Sequence, residues 1–305
     1  YFVDGTKVIK SLENQEDTYS KEVINKLKVG EPIIPKKPYN VVDSGLTLVQ
    51  IFGEIISYNQ FMTNNVVGKD LNNENSWRCF IEAKSIHSRC SISIRSWYQN
   101  VHPIFRNPGR KFTNQWDIAK TDIPEPAHWC IALIIIMYYG SVVLLHRQNV
   151  MMILYSGDTL LDLNEDNNNN NNSNNGDNLS EQSSFIAEIR EKVKLDTDFL
   201  ICNQSATAMA TLLEVIIETN PNFYDISPMV CYCIFQTALI HILTAEVYKD
   251  NIEEIKSAGR RLQSHIEALR KLSKFYMQGT ILSRVLQELF SDYLNVHTTT
   301  NNNNI

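Results

Sequence analysis

Histidine and cysteine are the residues of this sequence that most often do chemistry, and both are dispersed along the chain. No two of the seven histidines share the i, i+3 or i+4 spacing that places two metal ligands on one helix face, and no C-x-x-C pair occurs. The sequence also lacks the G-x-G-x-x-G, Walker A, H-E-x-x-H and G-x-S-x-G patterns. We therefore predict no catalytic residue, no metal ligand and no cofactor in this chain, and no enzymatic activity.

The six cysteines lie mostly among apolar residues, which is typical of reduced, buried thiols in an intracellular protein. Cys231 and Cys233 form the closest pair, and C-x-C without nearby histidines is a weak signal for a metal site. The sequence leaves a redox role for this pair open, although burial would make both thiols inert.

The elements that must position these side chains centre on one apolar segment. Trp129 to Leu145 is 17 residues without a charge, whereas a transmembrane helix needs about 20 apolar residues. Tyr138 and Tyr139 lie in its middle, where a helical bundle can offer hydrogen-bond partners for their hydroxyl groups. We therefore predict a buried central helix over about residues 126–154, with a membrane anchor as the alternative.

Composition and charge narrow the class of protein. The chain has 305 residues, 43% of them hydrophobic and 20% charged, as in an ordinary globular protein. Its net charge of −6 argues against broad binding of nucleic acid or of anionic membranes by this chain itself. The sequence starts at Tyr1 without a basic and apolar leader, so we expect it to be a piece of a longer protein.

Helical periodicity recurs over residues 44–294 and strand-like alternation is nearly absent, which predicts an all-α, multi-helix bundle. Residues 1–43 are predicted to be a lead-in with a proline-rich linker, 164–178 a disordered Asn-rich insertion loop, and 295–305 a disordered tail. The predicted helices cover about residues 44–62, with Ser44 as the N-cap, 77–101, 126–154, 183–194, 200–219, 227–248, 251–273 and 276–294.

One amphipathic segment carries an excess of basic residues. Residues 251–274 hold six basic side chains against Glu253, Glu254 and Glu267. We interpret the charges as the solvated face of a helix, with a nucleic-acid-binding face as the alternative. The apolar stripe of the same segment is too short to predict a coiled coil.

Three motifs follow one another along the chain and together resemble a known family. They are Trp129-x9-Tyr139-x4-Leu144-Leu145-His146-Arg147, then Cys202-x3-Ala206-x-Ala208 with Ile240-His-Ile-Leu243 behind it, and finally Arg261-Leu-x6-Leu269-x2-Leu272-Ser273 followed by Leu282-x3-Leu286-x2-Leu289. Their order resembles the middle homology region of fungal zinc-cluster transcription factors, over roughly residues 44–292. The sequence departs from that pattern at three positions. Gln148 stands where proline is usual, Thr207 where alanine is usual, and Tyr276 near the place where tryptophan is common.

The resemblance implies the regulatory domain of a nuclear transcription factor that controls RNA polymerase II transcription. DNA binding and zinc would then belong to an upstream module with six cysteines. The expected partners are the transcription machinery or co-regulators, a small-molecule effector and a second copy of the chain, but no membrane. The alternatives are a helical interaction scaffold without an effector and a membrane-anchored helical protein.

The resemblance also assigns expected roles to single residues. His146, Arg147 and Cys202 are expected to be structural, the first two because cations are favoured at the C-terminal end of a helix. Trp129, Tyr138 and Tyr139 are candidates for the wall of an effector pocket or of the core.

Overall fold

The computed structural model describes residues 41–69, 74–101, 125–168, 177–219 and 228–302, with side chains described for 43–69, 74–101, 131–154, 184–218 and 228–291. Every regular element in these ranges is an α-helix, which confirms the predicted all-α bundle. The helices are α1 (Val41–Asn65), α2 (Glu74–Asn100), α3 (Glu125–Asn168), α4 (Asp177–Leu195), α5 (Thr197–Thr219), α6 (Met229–Val247), α7 (Ile252–Leu272) and α8 (Met277–Asn302). The predicted lead-in and linker lie outside the described residues, apart from 41–43, which belong to α1.

Helix α3 is the centre of the bundle. It packs against α1, α5 and α6, and less extensively against α2 and α4. Its apolar run contains no proline after Pro126, and the stretch Ile131–Leu154 lies mostly inside the protein. The predicted central buried helix is therefore confirmed.

Helices α6, α7 and α8 complete the other side of the core. Buried residues occur on all sides of α6, which is covered by α7, α3, α5 and α8. Helix α7 buries Leu262, Ile266 and Leu269 and starts at Asn251, whose side chain accepts hydrogen bonds from two backbone amides of the first turn. Its exposed face carries local ion pairs such as Lys256–Glu253, as expected of a solvated helix face.

Three helices are long and apolar enough to cross a membrane by length and composition. The stretches are Ile131–Leu154 in α3, Thr197–Glu218 in α5 and Met229–Val247 in α6, of which 72%, 39% and 67% are buried inside the protein. Burial against other helices accounts for the apolar character of α3 and α6 without a bilayer.

Ser44 is not the N-cap of the first helix, so that prediction was wrong. Helix α1 begins three residues earlier, and Asp43 lies in its first turn, where a carboxylate favours the helix dipole. Ser44 is fully buried, and its carbonyl accepts a hydrogen bond from Nε1 of Trp97 at 2.9 Å. This residue therefore joins α1 to α2 instead of starting a helix.

Apolar residues recur at helical spacing along α2, but two of those at its N-terminal end are exposed. Cys90, Ile94 and Trp97 lie in the core, but Trp77 and Ile81 are 49% and 51% exposed. Cys79 and Phe80 in its first turns are partly buried against the core, so this end of the helix is covered on one side only. Helical spacing of apolar residues indicates a helix here, but not how far the neighbouring helices cover it.

Both regions predicted to be disordered are partly helical. Helix α3 continues to Asn168 and α4 begins at Asp177, so 164–168 and 177–178 are helical, and 169–176 lie outside the described residues. Helix α8 likewise extends to Asn302. No proline interrupts either extension, so backbone hydrogen bonding can continue through polar residues.

Candidate functional site

His146 and Arg147 lie in the middle of α3, because that helix continues to Asn168. Their expected role at a helix C-terminus is therefore wrong, since the dipole acts only within the last turn. His146 is 9% exposed, and its Nδ1 donates a hydrogen bond to Oδ1 of Asp198 at 2.5 Å. Asp198 belongs to the first turn of α5, so this contact joins the central helix to α5.

Gln148 explains why α3 does not end after Arg147. A proline at this position would lack the backbone donor and clash with the preceding turn. Gln148 is 6% exposed, and its Nε2 donates to Oδ1 of Asn59 at 2.5 Å. Asn59 donates in turn to the carbonyl of Leu144 at 3.0 Å. Gln148 and Asn59 therefore form a buried amide link between α1 and α3.

A third helix brings His87 of α2 to the same place. The rings of His87 and His146 meet edge to face, with centroids 5.3 Å apart. One ligand atom from each of His87, His146 and Asp198 lies within 4.8 Å of the other two. We call these three residues the His–His–Asp cluster. Two imidazoles and one carboxylate are a donor set that suits a first-row transition-metal ion.

Asn149 lies three residues after His146 on α3 and supports the His–His–Asp cluster through hydrogen bonds. Its Nδ2 donates to Oδ2 of Asp198 at 2.7 Å and lies 3.5 Å from Nε2 of His87. Its Oδ1 accepts a hydrogen bond from Nζ of Lys84 at 3.4 Å. The amide therefore holds the carboxylate of α5 and the imidazole of α2 in a defined relation to each other.

The charge states of the His–His–Asp cluster follow from burial and from these contacts. Burial lowers the pKa of His87, and the neighbouring His146 lowers it further. Burial alone would raise the pKa of Asp198, but hydrogen bonds from His146 and Asn149 outweigh it and leave that pKa below its ordinary value. At neutral pH the cluster therefore contains an ionised carboxylate and a neutral His87.

Arg147 points to the other side of α3 and contacts α6. Its guanidinium donates a hydrogen bond to Oε1 of Gln236, which is 6% exposed. Burial lowers the pKa of Arg147, although Tyr232 and Cys202 nearby favour its charged form. Its Nε has no hydrogen-bond partner among the described residues. The two consecutive motif residues thus connect the central helix to α5 and to α6.

The two tyrosines expected to line a pocket or the core lie in an aromatic cluster. The ring of Tyr138 stacks on Trp97 and Tyr98, with centroids 5.4 and 5.0 Å away, and Tyr139 packs against Tyr138. Both tyrosines are half-buried, and burial raises the pKa of Tyr139 to about 12. The side chain of Trp129 lies outside the described residues. A role in an effector pocket stays a prediction for all three.

Four of the thiols are buried as predicted, those of Cys90, Cys202, Cys231 and Cys233, whereas Cys79 is half-buried and the side chain of Cys130 lies outside the described residues. Cys202, Cys231 and Cys233 have no exposed surface. Burial raises the pKa of Cys231 to about 11 and that of Cys233 to about 12, so neither is a thiolate at neutral pH. Sγ of Cys202 lies 3.8 Å from the carbonyl of Val143, which places this motif residue at the contact of α5 with α3.

A second pair of histidines is buried between α6 and α7. The rings of His241 and His265 meet edge to face with centroids 5.0 Å apart. Nδ1 of His265 donates to the carbonyl of Arg261 at 2.9 Å, and its Nε2 accepts from the hydroxyl of Thr237 at 3.0 Å. Burial lowers the pKa of His265 to about 4 and also lowers that of His241. Neither ring nitrogen of His241 makes a hydrogen bond of good geometry to any residue that the structure describes, although the Ala206 backbone lies close enough to favour the charged form.

Sequence reasoning missed both histidine pairs because each is formed by different helices. His87, His146 and Asp198 come from α2, α3 and α5, and no spacing along the chain marks them. The Leu-Leu-His-Arg motif was the one signal that pointed to part of the cluster. Comparisons of the chain with protein-family models, with curated proteins and with solved structures find no match.

Proposed function

We propose that this chain is the regulatory domain of a fungal zinc-cluster transcription factor, acting in the nucleus on RNA polymerase II transcription. The observation that carries the proposal is the ordered series of three motifs within residues 129–147, 202–243 and 261–289. The all-α fold is the fold that the resemblance requires. DNA binding and zinc would belong to an upstream module, and this domain would act on the transcription machinery or on co-regulators.

The packing of the motif residues supports a regulatory role for the bundle. His146, Arg147 and Cys202 join α3 to α5 and α6 through one contact each. Helices α7 and α8, which carry the third motif, pack on α6. An effector that binds one arrangement of these helices better than another would shift their population and change what the domain presents to its partners.

A reporter assay tests this proposal. The chain is inserted between a heterologous DNA-binding domain and an acidic activation segment and expressed in a fungal reporter strain. We expect the folded domain to change reporter output by at least about tenfold, which corresponds to a coupling free energy of about 1.4 kcal/mol. A matched fusion carrying Gly140→Leu, which disrupts the bundle, should give the output of the fusion without the domain.

Equal output from the wild-type, Gly140→Leu and domain-free fusions, at equal protein levels, would contradict a regulatory role and favour the scaffold. A fusion carrying Gly53→Ala serves as the control for substitution itself. An added Cβ at position 53 meets no atom within 4 Å. This fusion should behave like the wild type.

The three apolar helices favour a membrane-anchored protein as the second candidate. The packing of α6 argues against it, because α6 is covered by α7. The outer face of α7 carries exposed charges, including Lys256 and Arg270. If α6 crossed a bilayer, these charges would have to lie at membrane depth, where ionised groups are strongly disfavoured.

A further inference from the structure

We propose that the His–His–Asp cluster binds a divalent first-row transition-metal ion, with zinc as the first ion to test. The site joins His87 of α2, His146 of α3 and Asp198 of α5. It is a property of the folded bundle and does not depend on a role in transcription.

The donor set is the first argument for this site. Imidazole nitrogen and carboxylate oxygen are the ligands that zinc, iron(II), cobalt(II) and nickel(II) share, whereas calcium and magnesium prefer oxygen ligands alone. Three protein ligands with a water in the fourth position form a common zinc arrangement. The cluster supplies three such ligands, and the half-buried His87 leaves one side open to solvent.

The distances are the second argument. The three ligand atoms lie within 4.8 Å of one another, and bonds of about 2.0–2.2 Å to one ion bring ligand atoms about 3–4 Å apart. Binding therefore needs only a small adjustment, in which the Nδ1–Oδ1 pair of His146 and Asp198 opens slightly and His87 approaches, and side-chain rotation can provide it. His146 and Asp198 are already in contact at 2.5 Å through the proton on Nδ1. A bound ion would take the place of that proton, which is released to solvent.

The surroundings are the third argument. Metal-binding side chains are commonly oriented by hydrogen bonds from outside the coordination sphere. Asn149 provides such a contact, since its Nδ2 donates to Oδ2 of Asp198 at 2.7 Å and leaves Oδ1 of that carboxylate for the ion. The ring of Tyr58 packs against His87 with centroids 5.7 Å apart and restricts the orientation of the imidazole.

Cobalt(II) and zinc titrations of the purified, chelator-treated full chain test the site. We expect one ion per chain, measured by calorimetry for zinc and by the visible absorption of bound cobalt(II), with zinc displacing cobalt. Zinc at 100 times its Kd should raise the Tm by about 5 °C, because the ion binds only the folded state. Helix α2 should gain most of this stabilisation, since the ion would join it to α3 and α5.

The variant His87→Gln removes one ligand and should weaken binding at least ~10-fold while circular dichroism stays unchanged. His265→Leu is the matched control, because it removes a histidine that lies away from the cluster, and it should bind as the wild type does. Asn149→Ala should weaken binding less than His87→Gln. A second control, His102→Gln combined with His297→Gln, tests for binding by other histidines of the chain.

Absence of saturable binding at one ion per chain would overturn the proposal. Equal affinity of His87→Gln and the wild type would also overturn it, as would loss of binding in the double variant but not in His87→Gln. The outcome is independent of the reporter assay, so failure of the metal site and failure of the regulatory role can be told apart.

Discussion

At the scale of single residues, buried histidines set the response of the protein to pH. The unfolded chain binds a proton at each histidine below about pH 6.5, whereas His265, with a pKa of about 4, stays neutral in the folded protein. Its contribution to stability is therefore fully present above about pH 6.5 and is lost as the pH falls towards 4. His241 acts in the same direction, because burial and the neighbouring His265 lower its pKa.

We expect the free energy of unfolding to fall by about 2 kcal/mol between pH 7 and 4.5 through His265 alone. Urea unfolding across this range measures the effect. His265→Leu should flatten the profile, whereas Gln263→Leu on the exposed side of α7 should keep the wild-type slope. Identical slopes for wild type and His265→Leu would contradict this assignment.

The thiols provide the second prediction at this scale. Cys231 and Cys233 are buried with raised pKa values, so a thiol reagent should modify them about 100-fold more slowly than an ordinary exposed cysteine. Cys79, which is half-buried, should react before either of them. Peptide mass spectrometry after timed labelling of the native protein measures the order. Rapid labelling of Cys233 in the folded chain would show that α6 is not packed as described.

At the scale of elements, the contact between α3 and α6 depends on one glycine. A Cβ added at Gly140 would lie 2.6 Å from Cβ and 3.2 Å from Cα of Cys233, so the two helices would have to separate. We expect Gly140→Ala to lower the free energy of unfolding by about 1–3 kcal/mol. Gly53→Ala has open space around it within α1 and should raise stability by about 0.5–1 kcal/mol. Chemical denaturation of the two variants measures both effects, and equal stability would contradict the described helix contact.

Sequence patterns predicted the helices well, because their apolar spacing reflects the core directly. The apolar run around Tyr138 and the amphipathic pattern of residues 251–273 are local signals, and the structure has a helix at both places. The prediction of an N-cap at Ser44 was wrong because serine is also tolerated inside a helix, and here the Ser44 carbonyl accepts a hydrogen bond from Trp97.

The site could be predicted only in part. His146 stood in a motif, but Asp198 and His87 reach it through packing of α5 and α2, which no local pattern encodes.

At the scale of the whole molecule, the burial of α3 and α6 against other helices favours a bundle core over membrane spans. We therefore expect the full chain to partition into buffer without detergent and to remain there after high-speed centrifugation. A matched control is Gly140→Leu, which should expose the apolar helices and move the protein into the detergent phase. Partition of the wild-type chain into detergent would favour the membrane-anchored alternative.

We propose that this bundle regulates a zinc-cluster transcription factor, and the coding sequence upstream of Tyr1 tests this proposal most directly. We expect six cysteines there, arranged as C-x2-C-x6-C, a loop and C-x2-C-x6–9-C, followed by a basic linker. An upstream catalytic domain, or further long apolar segments, would contradict the claim. The resemblance would then reflect shared helical patterning alone.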